Sequence, residues 1–212
     1  LKELPVRHKD NAWSQEHGVS DTLACLYTGT LAMKHDPALL EQVAANTEAE
    51  VVVVAAGVGV EHLEAVKSAR PDAYENLTLL PLQPFERFAD VLGSADIMLA
   101  VIEEDAGEFS VPSKVLSYLC SGRPIVLSAP AGNLAARIVR ETGAGLVCDA
   151  GDGAGFVEAV RALINDPDAR EAAGRAGRAY AEEHFDLERI ATRFESVLQQ
   201  ACQELAASPG GG

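Results

Sequence analysis

From residue 21 onward, short apolar runs alternate with stretches whose apolar positions recur at helical spacing. Six runs read as strands: residues 23–28, 51–56, 77–82, 97–102, 125–129 and 146–148. Val51-Val52-Val53-Val54 and the run from Ile97 to Ile102 show no period-two alternation. A strand apolar on both sides is covered on both faces, as a parallel sheet between helices requires. Helices are expected over 37–46, 60–69, 85–94, 112–121 and 133–142. Asn133 is placed to cap the last of these and Gly143 to end it, while Gly122 and Pro124 end the 112–121 helix. Alternating strands and helices mean right-handed βαβ units. The expected fold is therefore α/β, a Rossmann-like, doubly wound, six-stranded parallel sheet with flanking helices.

Beyond the sixth run the chain turns wholly helical. Phe156, Val157, Val160, Leu163 and Ile164 share one face. Leu187, Ile190, Phe194, Val197, Leu198, Cys202 and Leu205 make a stripe about five turns long. That stripe can meet a second body, a second copy, or the local core. Residues 1–20 are polar and read as a linker or arm, with Trp13 expected to cap an edge of the core. Residues 21–207 form the domain, and 208–212 a flexible tail. There is no internal repeat.

Composition narrows the function. Lys plus Arg number 17 against 32 Asp plus Glu, a net charge of −15. With a pI near 4.6, a bulk-charge surface for nucleic acid or anionic lipid is excluded, though a local basic pocket is not. The apolar fraction of 48% excludes intrinsic disorder. Cys25, Cys120, Cys148 and Cys202 lie far apart with no CxxC pair, so buried reduced thiols are expected, in keeping with a cytoplasmic location. No signal peptide is read at the start, and no apolar run reaches the ~18 residues of a membrane span.

Three stretches carry candidate chemistry. Gly57-Val58-Gly59 follows a strand and opens a helix, but the third glycine of a dinucleotide fingerprint is missing, and a tight turn explains the pair. Tyr27-Thr28-Gly29-Thr30-Leu31 closes the first strand, where Gly29 and Thr30 can admit a phosphate, with Lys34 one turn on. The bland alternative is an ordinary βα turn with a solvated lysine. Ser110-Val111-Pro112-Ser113-Lys114 opens the helix after the fourth strand. A helix start offers free amides and a partial positive charge. A lysine there is poorly placed on dipole grounds and better explained by a bound anion. Upstream, Glu103-Glu104-Asp105 reads as an acidic solvated loop or as partners for sugar hydroxyls. His8, His17, His35, His62 and His184 have no metal-ligand spacing, and no GxSxG elbow or P-loop occurs.

Taken in order, Tyr27-Thr28-Gly29-Thr30-Leu31, Val54-Ala55-Ala56-Gly57-Val58-Gly59, Leu79 to Glu86, Ser94-Ala95-Asp96-Ile97, Val111-Pro112-Ser113-Lys114 and Ser121-Gly122-Arg123-Pro124-Ile125-Val126 resemble the C-terminal, donor-binding domain of retaining GT-B glycosyltransferases of family 4. The likeness covers residues 21–200, one half of a GT-B fold. Gly29 to Pro37 together with Val111 to Lys114 resembles the branch that builds surface polysaccharides of colanic-acid and O-antigen types. The chain departs from the family's pair of glutamates with seven residues between them, whose positions here are Phe109 and Ser117, with Glu108 beside the first.

The resemblance implies that Gly29, Thr30, Lys34, Ser113 and Lys114 hold the donor diphosphate. It further implies that Leu82, Gln83 and Pro84 border the uracil and that Ser117 meets the ribose. Lys114 and Lys34 would stabilise the charge that grows on the departing diphosphate without a metal or cofactor. Lys114→Ala should then hurt catalysis more than folding. The implied partners are a UDP-sugar and an absent N-terminal acceptor domain, with membrane contact only through that domain or a lipid-linked acceptor. A UDP-N-acetylglucosamine 2-epimerase half and a non-enzymatic Rossmann-like binding module are the alternatives.

Overall fold

A computed structural model describes residues 4–102 and 113–207. Six parallel strands, β1 (Ala24–Thr30), β2 (Glu50–Ala56), β3 (Leu77–Leu80), β4 (Ile97–Val101), β5 (Ile125–Ser128) and β6 (Gly145–Cys148), form one sheet in the order β3-β2-β1-β4-β5-β6. This is the doubly wound order, reversing direction between β1 and β4. Alternate residues of each strand face opposite sides, which is why the valine run needs no polar partner. Val52 and Val54 enter one buried cluster, and Val51 and Val53 the other.

The first cluster packs α1 (Ala12–Glu16), α4 (Phe85–Gly93), α5 (Ser113–Ser121), α6 (Leu134–Thr142) and α8 (Pro167–His184) on one face. The second packs α2 (Pro37–Asn46), α3 (Val58–Ala69) and α7 (Gly153–Asn165) on the other. The signals read for α6 hold: Asn133 accepts from the Ala135 amide at 2.9 Å, and Gly143 adopts a left-handed conformation at its end.

Several expectations are corrected. Trp13 does not cap an edge; it is 0% exposed inside the first cluster, on a helix within the stretch read as a polar arm. The third strand stops at Leu80 rather than residue 82, because Pro81 has no amide to continue the ladder. Three cysteines are buried, but Cys202 is exposed. It lies on α9 (Leu187–Ala207), where every residue from 187 to 203 is exposed. The described part of the α9 stripe therefore packs on no local core: Leu187, Phe194 and Val197 all face solvent. The side chain of Leu205 and the tail 208–212 fall outside the described residues.

Gly57 and Gly59 belong to a close crossing. A Cβ on Gly57, whose φ is +123°, would lie 2.7 Å from the Leu31 carbonyl oxygen. The Gly59 amide donates to that same oxygen at 2.9 Å. The pair packs a helix start against the end of β1, in line with the tight-turn reading.

Candidate functional site

Between β1 and β2 seven residue pairs are in register, but β1 and β4 pair only at Cys25↔Ile97 and Leu26↔Met98. Past Leu26 the two strands part, which is where open α/β sheets bind ligands, outside the carboxyl ends of the strands. The amide that loses its strand partner is taken up by a side chain. The buried Tyr118 hydroxyl of α5 accepts from the Thr28 amide at 2.8 Å. Burial pushes the Tyr118 phenol up to about 12, so it stays a neutral hydroxyl. Tyr118→Phe orphans that buried amide and is expected to cost about 1–3 kcal/mol. A urea titration checks this; an unchanged midpoint would contradict it.

Above the split lies a crevice of about 470 Å³. One wall is Thr28, Gly29 and Thr30 at the end of β1, with His35 beyond it. A second wall is Ser113, Lys114 and Ser117 on the first turns of α5. A third is Leu82, Gln83, Phe85, Phe88 and Val91 from the β3–α4 loop and α4. Phe85 and Phe88 stack with centroids 6.4 Å apart. The crevice thus has a cationic, hydroxyl-bearing side and an apolar, aromatic side, the composition of a site for a ligand that is anionic at one end and planar or apolar at the other.

Lys114 holds the cationic side. Its ammonium donates to the Tyr27 hydroxyl, lies 3.5 Å from the Thr30 carbonyl oxygen and sits 3.8 Å from the centre of the Tyr27 ring. Tyr27 in turn donates to the Thr30 carbonyl at 2.8 Å. Among the described residues no carboxylate pairs with Lys114, and burial lowers its ammonium to about 8. Burial also raises the Tyr27 phenol, which therefore remains protonated. A desolvated cation held by neutral oxygens and a π face is poised for an incoming anion.

Gly29 shapes the same wall. Its φ of +104° is a conformation side chains rarely adopt, and a Cβ there would lie 3.9 Å from Lys114 Cε. The need for glycine at this place is conformational rather than a matter of space. The Ser117 hydroxyl donates to the Ser113 carbonyl at 3.2 Å within its own helix, leaving its lone pairs for a donor.

Of the residues singled out from sequence, Gly29, Thr30, Leu82, Gln83, Ser113, Lys114 and Ser117 come together around the crevice. Pro84 is exposed at the start of α4 and is not among the lining residues. Lys34 belongs to a short 3-10 turn, Met33–His35, and its side chain falls outside the described residues. So do Glu103-Glu104-Asp105, Glu108, Phe109, Ser110, Val111 and Pro112. Sequence reading missed Tyr27, Tyr118 and His35. Strand alternation puts Tyr27 on the same side as Gly29, and helical spacing puts Tyr118 one turn after Lys114, so both carried a signal. The His35 Nδ1 accepts from the Ala32 amide at 3.1 Å, which places a ring proton on Nε2 when the imidazole is neutral.

Among the described residues no group of three His, Cys, Asp or Glu side chains is placed to hold a metal ion, and no helix is long and apolar enough to cross a membrane.

The family model described as Glycosyl transferases group 1 matches residues 23–166. A GDP-mannose-dependent monoacylated alpha-(1-6)-phosphatidylinositol monomannoside mannosyltransferase from Corynebacterium glutamicum is 25% identical over 165 residues, 76% of this chain and 42% of that protein. Among solved structures, HepE from Anabaena in complex with UDP and glucose superposes with a TM-score of 0.78 at 16% identity, over 93% of this chain and 54% of that one. Sucrose-phosphate synthase from Thermosynechococcus elongatus gives 0.77 at 16% identity, over 96% and 51%. The C-terminal domain of a glycosyl transferase group 1 family protein (LpcC) from Francisella tularensis gives 0.64 at 12% identity, over 88% of this chain and 97% of that one. The chain spans less than half the length of the curated relative and about half of the first two solved ones.

Proposed function

We infer a donor-binding function from one premise: the chain belongs to the group 1 glycosyl transferases. It is the half of such an enzyme that binds a nucleotide-sugar, by preference a UDP-sugar. The whole enzyme carries out retaining transfer, of the family 4 type, in surface polysaccharide or glycoconjugate synthesis. The acceptor is bound by an N-terminal domain on which α9 lays its apolar stripe, and this half alone transfers nothing. The near-complete overlap with an isolated C-terminal domain supports that division. The protein works in the cytoplasm, meeting the inner face of a membrane only through that domain or a lipid-linked acceptor.

The observation that carries the reading is the crevice at the point where sheet order reverses, with Lys114 held beside Gly29 on its cationic side. When the bond from the sugar's anomeric carbon to the β-phosphate oxygen breaks, negative charge gathers on the leaving diphosphate. Lys114, the α5 start at Ser113, Gly29, Thr30 and Lys34 stabilise that charge, without a metal or cofactor. Leu82, Gln83 and Pro84 border the base, and Ser117 takes the ribose.

A second base has its own support, since the curated relative is GDP-mannose-dependent while HepE is solved with UDP. Thermal denaturation with UDP, GDP or ADP decides. A nucleotide at about 100 times its dissociation constant adds ~2.7 kcal/mol. For a domain of this size the melting temperature then rises by roughly 5–10 °C. A rise with UDP is expected. A rise with GDP alone moves the donor to a GDP-sugar, and no rise at millimolar concentration of any of the three ends the donor-domain reading.

A further inference from the structure

The chain has a single tryptophan, and its indole reaches the crevice through an intermediary. Trp13 is fully buried, and an indole N–H can only donate, so it needs an acceptor inside the fold. That acceptor is the side-chain oxygen of Gln83, at 3.2 Å. The pairing fixes which way the Gln83 amide points: with its oxygen turned to the indole, its NH₂ donates to the Pro81 carbonyl at 2.9 Å. Gln83 thus spans from the core to the backbone of its own loop, and Gln83 and its neighbour Leu82 line the crevice.

The indole is itself anchored on α4. Asn11 caps α1, its side-chain oxygen accepting from the Trp13 amide at 2.9 Å, while its NH₂ donates to the Asp90 carbonyl and the Ser94 hydroxyl, each at 3.1 Å. The His17 ring stacks on the indole with centroids 4.2 Å apart. A phenylalanine keeps an aromatic ring in the core but is smaller and leaves a void there; only the indole N–H addresses Gln83.

We propose that Trp13 is a positioning residue for the base side of the nucleotide crevice, acting through Gln83 to hold the 81–84 loop in the shape that receives the base. The proposal rests on the nucleotide-binding reading above and adds a control point outside the 21–207 domain expected from sequence.

Calorimetric titrations of the full chain with UDP, GDP, UMP, GMP and inorganic pyrophosphate test it. Trp13→Phe and Gln83→Leu should each weaken the preferred nucleoside diphosphate and its monophosphate by the same factor, about three- to tenfold, the span of one hydrogen bond. Pyrophosphate affinity should stay within about twofold. Added to Gln83→Leu, Trp13→Phe should weaken binding no further, since the indole–Gln83 bond through which it acts is already gone. Gln83→Leu leaves the indole in place, so the base-side loss is still measurable if Trp13→Phe does not fold. Wild-type chain that binds no nucleotide ends both the nucleotide reading and this proposal. Wild-type binding together with unchanged nucleotide affinity in the variants overturns the proposal alone. So does an equal loss for pyrophosphate, or additive losses in the double variant.

Discussion

Lys114→Met is expected to weaken UDP binding about 10- to 100-fold, the range of a charge-assisted hydrogen bond to a phosphate lost from a desolvated site. UMP should lose less, since the proposed donor pose sets the lysine against the diphosphate rather than the base. The same substitution should not lower the melting temperature at pH 7. Burial drops the folded-state ammonium to about 8, against about 10.4 for an unfolded lysine. Below pH 8 both states carry the proton and the folded chain bears the whole desolvation cost. As pH rises from 8 through 10 the folded state sheds its proton first, and that cost is relieved. Wild-type stability should therefore gain on Lys114→Met across that window. Binding runs the other way. The terminal phosphate, with a second pKa of about 6, is fully ionised there. UDP affinity should be level near pH 7 and fall by up to about tenfold per pH unit above 8, with no such fall in Lys114→Met. A variant that binds UDP within about twofold of wild type would remove Lys114 from the site.

Gly174→Val should lower stability by about 2–4 kcal/mol, a fall in melting temperature of roughly 5–15 °C. A Cβ on Gly174 would come 2.1 Å from the Gly122 carbonyl oxygen and 2.9 Å from its carbon. Both are backbone atoms at the end of α5, so neither can swing aside. Gly177 offers the contrast on the same helix. Its Cβ would meet the Ala144 and Leu119 side chains at 3.3 and 3.4 Å. There the gain of alanine in a helix, about 1 kcal/mol, offsets a mild contact, and Gly177→Ala should stay near neutral. Thermal scans of the two variants separate the cases. Because α5 carries Lys114, Gly174→Val should also weaken UDP at temperatures where the chain is still folded. Equal melting temperatures for the two variants would refute the close crossing of α8 on α5.

The fold was legible because its strands are buried on both faces. Unbroken runs such as Val51 to Val54 admit few other placements, and observed strand starts lie within one residue of those expected. Half of the candidate site was legible for a related reason. Gly29 and Lys114 sit at a strand end and a helix start, where backbone chemistry makes residue type meaningful. The parting of β1 from β4 was not legible, since it depends on register between strands some seventy residues apart. Nor was the placement of Trp13, whose polar neighbours hide that Asn11 and Ser14 cap a helix that turns the indole inward. Pro81 was a signal overlooked: a residue without an amide ends β3 and begins the loop that Gln83 braces.

The bare face of α9 has a consequence for motion. A helix of 21 residues whose described side chains, 187 to 203, are all exposed draws little order from packing and is governed largely by its own helix–coil equilibrium. Its amides should exchange with solvent orders of magnitude faster than those of β1 or β4, and at a rate indifferent to substitutions that lower global stability. Whatever body covers Phe194 and Val197 must then supply the order of α9 as well as its contacts, so the association constant and the helicity of this segment are one measurement.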